Sequence, residues 1–296
     1  MTVQPGYAVG VVHHGDPAPT LKCLASLRSV APPFVVGFVL WNDPAETLRE
    51  VRDHPALRGF DVLCPDANTG FAAGANRLAQ EAAARGCDFL WLLNNDVRVS
   101  PTTAGQLVEA LSADANVALV GPRILHPDGT VWHDGGRLHW PGGRVESPGH
   151  GAPPDAAGVP FDVDFVCGCA PMIRLDAWQS VGGFDERYFL YYEDVDVSLR
   201  LQAAGWRVLH APAAVVEHAG SKAVAAHGPA LARYYRVRNR RLLLGTHRPG
   251  AVISSVGDLW RSLRYAVSGR AKQGRAIRCA LRDAKTGTWG RRKDVE

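Results

Sequence analysis

The chain has 296 residues, 46% apolar and 21% charged, enough for a sizeable core and too hydrophobic for a disordered segment despite 31 Gly and 20 Pro. No run approaches the roughly 18–20 apolar residues of a membrane-crossing helix. The segment MTVQPGYAVG lacks the basic start and sustained apolar stretch of a signal peptide, so a cytoplasmic protein is expected. The net charge of +4 conceals a division: residues 1–232 carry 16 Lys and Arg against 25 Asp and Glu, a net of −9, whereas 233–296 carry 17 against 4, a net of +13.

In chain order, YAVGVVHHG reads as a short strand ending in a polar loop, and TLKCLASLRSV as a helix with Leu21, Leu24 and Leu27 on one face. FVVGFVLWND repeats the strand and ends at Trp41, Asn42 and Asp43, and ETLREVRDH follows as a helix. FDVLCPDANTGFAAGANRLAQEAAARG gives a third strand, a Gly-rich loop, and a helix over about 72–85. CDFLWLLNNDVRVS is a fourth strand, apolar on both faces through Phe89–Leu93 as a central parallel strand requires, and it breaks into polarity at Asn94-Asn95-Asp96. Alternating strands and helices of this length predict an α/β fold, a mostly parallel sheet flanked by helices, with the ligand site beyond the carboxyl ends of the strands. That rule gathers His13 and His14, Trp41–Asp43, Asn68–Gly70 and Asn94–Asp96 along one edge.

After a further helix (TAGQLVEALSAD) and strand (VALVGPRIL), the stretch 126–160 is rich in Gly, Pro and His and has no helical period. It reads as an irregular lobe or hairpin carrying Trp132 and Trp140 over the site, with a mobile loop near 146–160. FDVDFVCGCAPMIRLDAWQSV supplies a strand, a tight turn at Gly168 and a short helix. It leads into FDERYFLYYEDVDVSLRLQAAGWRVLHAPAAVVEH (184–218), where Glu193, Asp194 and Asp196 open a helix just after an aromatic run and a strand ends at His218. Carboxylates in a first turn stabilise a helix dipole without any chemistry. A reaction centre is the alternative, favoured because Asp96, Asp194 and His218 arrive at one cleft from separate elements. The six cysteines are scattered, and Cys167-Gly168-Cys169 has no second pair to complete a zinc site, so reduced thiols are expected.

The basic part divides from the body at 232/233. LARYYRVRNRRLLLG reads as a basic helix, and AVISSVGDLWRSLRYAVSG places Val252, Val256, Leu259, Trp260, Leu263 and Val267 on one face. That pattern fits either a helix lying on a membrane surface or one packed on its own domain with arginines in water. The arginines lack the interleaved exposed aromatics of a single-strand platform, so no nucleic-acid partner is expected.

The segments NTGFAAGANR (68–77), LLNNDVRVSP (92–101), 181–218 and RYYRVRNRRLLL (233–244) resemble the family 2 glycosyltransferases, inverting enzymes of the GT-A fold, and especially their rhamnosyltransferase-like branch, over roughly residues 7–245. The resemblance implies a catalytic domain over 1–232 and a basic helical extension over 233–296. It implies Asp194 as the catalytic base, Asp96 and His218 as ligands of Mg²⁺ or Mn²⁺, and Asn94 as a departure from the first Asp of an Asp-X-Asp motif. It places His13, Trp41, Asn42, Asn68, Gly70, Asn76, Asn94 and Asn95 at the nucleotide-sugar site, and Trp132, Gly168, Cys169 and Glu193 at the acceptor. Relatives carry Asp-Asn where this chain has Trp41-Asn42, so Trp41 either stacks on a base or belongs to the core. The reaction implied is transfer of a sugar, a deoxysugar such as rhamnose among them, from a dTDP, UDP or GDP donor to a hydroxyl of a saccharide, lipid-linked or small-molecule acceptor. Peripheral contact at the cytoplasmic face of the membrane fits such an acceptor. The other readings are a nucleotidyltransferase acting on a sugar phosphate, and a non-catalytic membrane or nucleic-acid binding module using the tail.

Overall fold

A computed structural model describes residues 6–219, 222–249 and 256–292, without the side chains of 222–227. Val252 and the first five residues, which figure in the sequence reading, lie outside them. The strands are β1 (Tyr7–His13), β2 (Val36–Trp41), β3 (Phe60–Leu63), β4 (Phe89–Asn94), β5 (Val97–Val99), β6 (Val117–Leu125), β7 (Val131–His133), β8 (Arg137–His139), β9 (Arg144–Glu146), β10 (Phe161–Asp162), β11 (Met172–Arg174) and β12 (Arg207–His218). The helices are α1 (Pro17–Ser26), α2 (Ala45–Val51), α3 (Gly70–Ala84), α4 (Thr103–Ser112), α5 (Leu175–Ser180), α6 (Glu193–Ala203), α7 (Lys222–His247), α8 (Val256–Val267) and α9 (Ala271–Thr286).

One sheet runs β10-β12-β6-β11-β4-β1-β2-β3, with β5 added to β12 and β7 to β6. Strands β4, β1, β2 and β3 are mutually parallel, β12 runs parallel to β6, and β11 is antiparallel to both of its neighbours, β4 and β6. The period of two explains why β4 sits in the middle: Phe89, Trp91 and Leu93 enter one core layer while Leu90 and Leu92 enter the other. Helix α3 closes the second layer with Ala72, Ala75, Leu78, Ala79 and Ala82. Its approach is so close that a Cβ on Gly74 would lie 2.6 Å from Leu40. The stretch 126–160 contains β7 and the separate β8–β9 hairpin, matching the irregular lobe expected there.

The boundary expected at 232/233 falls inside α7, whose one break in helical geometry is Gly228, followed by Pro229. Beyond that kink the helix buries Leu231, Tyr234, Tyr235 and Val237 against Phe189 of the body and Ala276, Ile277 and Ala280 of α9. The basic segment is therefore packed into the structure rather than appended to it.

Candidate active site

Register brings Asp96 to His218. Strand β5 pairs antiparallel with the end of β12, so His218 stands opposite Val97, one residue past Asp96. A bulge in β12 between Ala211 and Val215 allows its last residues to reach that strand. The His218 Nε2 lies 3.0 Å from Asp96 Oδ1, yet it is not aligned for a hydrogen bond. Asp96 Oδ2 and both ring nitrogens of His218 are buried with no hydrogen-bond partner. Leaving a buried polar atom unsatisfied costs about 1–3 kcal/mol, so this pair is arranged for something other than itself. A carboxylate and an imidazole with unused lone pairs fit a divalent cation that takes its remaining ligands from phosphate and water. Among the described residues no group of three His, Cys, Asp or Glu converges. The Trp132 ring covers His218 at 4.7 Å between centroids.

Asp194, second residue of α6, is held from two sides. Its Oδ2 accepts from the Gly168 N–H at 3.0 Å and its Oδ1 from the Val195 N–H at 2.8 Å. Burial raises its pKa above the ordinary carboxylate range, outweighing those two donors. The side chain keeps some surface accessible, whereas its neighbour Glu193 is buried, with Oε2 unpartnered. Burial, then the adjacent Asp194, pushes the Glu193 carboxyl well up, which favours its neutral form. The turn 167–169 links this end to the strand ends: Gly168 feeds Asp194, and the Cys169 carbonyl accepts from the Asn94 N–H at 2.8 Å. Burial raises the Cys167 and Cys169 thiols well above the ordinary value.

The segment before α6 is strained. Phe189, Tyr191 and Tyr192 have φ of 63°, 69° and 73°, a region that side chains with a Cβ seldom enter. Helix α7 holds them there. The Asn239 amide nitrogen lies 2.9 Å from the Tyr188 carbonyl and 2.8 Å from those of Leu190 and Tyr191. Arg238 donates to the carbonyls of Arg187 and Tyr188 and to Asn239 Oδ1. Both side chains are fully buried. Asp196, in the first turn of α6, is buried among Tyr188, Arg200 and His247 and ties α6 to α7. Sequence reasoning gave no role to Arg238 or Asn239; the only signal was an Asn within the basic run RVRNRR.

At the nucleotide end, several expected contacts act from beneath the surface. Trp41 is wholly buried, stacked on His13 at 3.6 Å with its Nε1 donating to Thr47, because strand alternation puts it on the same face as Val39. The base-stacking option for Trp41 is therefore replaced by the core one. His13 is likewise buried, 2.6 Å from Thr20 Oγ1 and 3.3 Å from Asp43. Asn42 shapes the Gly-rich loop, accepting from Thr69 and donating to the Gly70 carbonyl. Asn76 pins the chain at Phe184 through both amide atoms. What remains at the loop surface is Asn68, which accepts from the Gly70 N–H and lies 3.4 Å from His14. Gly70 has φ +82°, and a Cβ there would strike the Phe189 ring at 2.4 Å. Asn95 donates to the His14 carbonyl and to Thr20. Asp43, which the sequence reading left without a role, lies against His13 and His14 and accepts from the Gly15 N–H. Burial opposes its ionisation, but those contacts hold it well below the usual range.

A family model described as glycosyl transferase family group 2 matches residues 161–271. The chain is 31% identical over 188 residues to N-acetylglucosaminyl-diphospho-decaprenol L-rhamnosyltransferase of Mycobacterium tuberculosis (strain CDC 1551 / Oshkosh), a match covering 57% of this chain and 60% of that protein. It thus spans less than two thirds of that relative's length. Among solved structures it superposes on GalNAc-T7 with UDP, GalNAc and Mn²⁺ at a TM-score of 0.62 and 15% identity, covering 98% of this chain and 59% of the other. It also superposes on the mannosyltransferase PcManGT from Pyrobaculum calidifontis in complex with GDP-Man and Mn²⁺ at a TM-score of 0.55 and 12% identity, covering 96% and 88%. At such identities the likeness is one of fold.

Proposed function

This chain has the GT-A fold and, over residues 161–271, the sequence signature of glycosyl transferase family group 2, and from that premise we propose that it is an inverting glycosyltransferase. The donor is a nucleoside-diphosphate sugar, with a deoxysugar such as rhamnose in keeping with the relative, and the acceptor is a hydroxyl of a saccharide carried on a polyprenyl diphosphate lipid. The observation that carries the reading is the pairing of unsatisfied Asp96 and His218 at one pair of strand ends with a supported, burial-raised Asp194 across the 167–169 turn.

Asp96 and His218 would hold a divalent cation, which when bound would neutralise charge developing on the leaving diphosphate. Asp194 accepts the proton of the acceptor hydroxyl as its oxygen bonds to the anomeric carbon and the bond to the diphosphate breaks. One displacement inverts that carbon. The raised pKa makes Asp194 a stronger base than an ordinary carboxylate, and the two backbone donors fix where its oxygens sit. Asn42, through Thr69 and Gly70, keeps the Asn68 loop in shape for the nucleotide. Trp132, over His218, offers an aromatic surface on the acceptor side.

Asp194→Asn is expected to lower sugar transfer by about 10²–10⁴-fold, the usual share of a general base. Donor-induced thermal stabilisation should survive the change. Undiminished turnover would remove Asp194 from the base role.

A further inference from the structure

Helix α8 is turned the opposite way from an ordinary surface helix. Its buried face is polar: Asp258 is 3% exposed and accepts from Arg240 at 2.7 Å and Arg241 at 3.1 Å. Ser262, on the same face, donates to the Gly274 carbonyl of α9. The crossing with α9 is tight, because a Cβ on Gly274 would sit 2.7 Å from the Ser262 carbonyl. Val256, Leu259, Trp260, Leu263 and Val267 point outward, Trp260 at 64% and Val267 at 88% exposure. At 3.6 residues per turn these five occupy an arc of about 100°, the width of a face that normally seeks a core. Among the described residues they are five of the nine large hydrophobics exposed anywhere in the chain.

Charge identifies the occupant. Residues 256–292 contain ten Lys and Arg against two acids, Asp258 and Asp283, and both acids are buried and ion-paired. Every cation in that stretch except Arg292 is exposed, and Arg264 borders the apolar arc. A second copy of the chain would set two such faces of like charge against each other, which electrostatics opposes. An apolar strip flanked by cations, with no exposed acid in the same segment, matches a bilayer surface bearing anionic lipid.

We infer that α8 seats the protein on an anionic membrane surface, its five apolar side chains entering the headgroup boundary and the cations of α8 and α9 engaging lipid phosphates. No described helix is long and apolar enough to cross a membrane, so the contact is peripheral and reversible. The inference deepens the lipid-linked acceptor reading, but its test involves no transfer, so the two fail separately.

The test is co-sedimentation of the full chain with vesicles of phosphatidylcholine alone or mixed equally with phosphatidylglycerol, at low and high salt. Binding is expected to the anionic vesicles and to weaken with salt. The double variant Trp260→Glu, Leu263→Glu should weaken it about ten-fold or more. Arg261→Gln with Arg264→Gln should weaken it on the order of thirty-fold at low salt. All four positions are exposed and only Arg261 touches a buried group, Asp258 Oδ1 at 3.5 Å, a pair weak enough that thermal unfolding should hold near the parent value. Absence of binding to anionic vesicles at low salt overturns the inference, as does binding that the glutamate variant leaves unchanged. A concentration-dependent dimer broken by Trp260→Glu, with no vesicle binding, would assign the face to a second copy and overturn it too. Should the glutamate variant fold poorly, the salt and lipid dependence of the parent chain decides.

Discussion

Replacing Asn239 should both destabilise the protein and impair the site, because one amide supports the whole approach to α6. Three non-glycine residues in the left-handed region cost about 1–2 kcal/mol each, so about 3–6 kcal/mol of local strain must be offset by neighbours. The Asn239 amide has two hydrogens for three carbonyls. The Tyr188 carbonyl also receives Arg238 and the Leu190 N–H, so truncation chiefly deprives Leu190 and Tyr191. At about 1–2 kcal/mol for each partly buried carbonyl left without its donor, Asn239→Ala should cost about 2–4 kcal/mol in urea unfolding. Asn239→Leu keeps the volume and removes the donors, and should cost nearly as much. Relaxation of Tyr191 and Tyr192 would move the start of α6, and with it Asp194. The Phe189 carbonyl accepts from the Phe71 N–H at the donor loop, so donor binding should weaken along with turnover. The measurements are unfolding free energy, donor-induced thermal shift and transfer rate for the two variants. An Asn239→Leu protein within about 0.5 kcal/mol of the parent and equally active would refute the clamp.

The remaining predictions concern the ionisable groups. Because His218 makes no hydrogen bond through either ring nitrogen, His218→Phe should change stability by less than about 1 kcal/mol, while raising the Mn²⁺ concentration for half-maximal transfer at least about ten-fold; unchanged metal dependence would take His218 out of the site. Glu193 has a folded-state pKa raised by burial, so the native state holds its proton more tightly than the unfolded chain, and the stability this gives is lost as pH rises from the ordinary carboxylate value of about 4.3 through the raised one. Glu193→Gln removes that loss and should be more stable than the parent at pH 7, with a flatter pH dependence in urea midpoints; parallel curves would show that Glu193 ionises without cost.

The strand framework around the candidate site could be read from the sequence because local pattern determines it. Phe89–Leu93 is apolar at both parities and must be central, and Asp96 stands just past the end of β4 while His218 is the last residue of β12. Trp41 was ambiguous because a tryptophan beside a polar loop suits either surface, and only its stacking on His13 of β1 and its bond to Thr47 of α2 assign its face. The roles of Asn76 and Asn239 were invisible for a different reason. Their partners lie 108 and about 50 residues away, and an amide side chain gives no periodic signal of what it will hold. The periodicity of α8 was legible but its direction was not: a hydrophobic stripe declares that one face is apolar, and the ion pairs of Asp258 with Arg240 and Arg241 are what turn that face outward.

Those ion pairs also show why the basic segment cannot be treated as detachable. Four consecutive residues of α7 divide between two tasks: Arg238 and Asn239 hold the strained 188–191 carbonyls, while Arg240 and Arg241 bind Asp258 of α8. One turn of helix therefore joins the loop that positions Asp194 to the helix whose apolar face looks outward. Removing 246–296 would leave Arg240 and Arg241 without Asp258 and would uncover Tyr234 and Tyr235, which pack on Ala276, Ile277 and Ala280. A truncated protein would lose its activity through the body as readily as through the tail. Substitutions on the exposed face of α8 change only what that face meets, and for that reason they separate seating from catalysis where deletion would not.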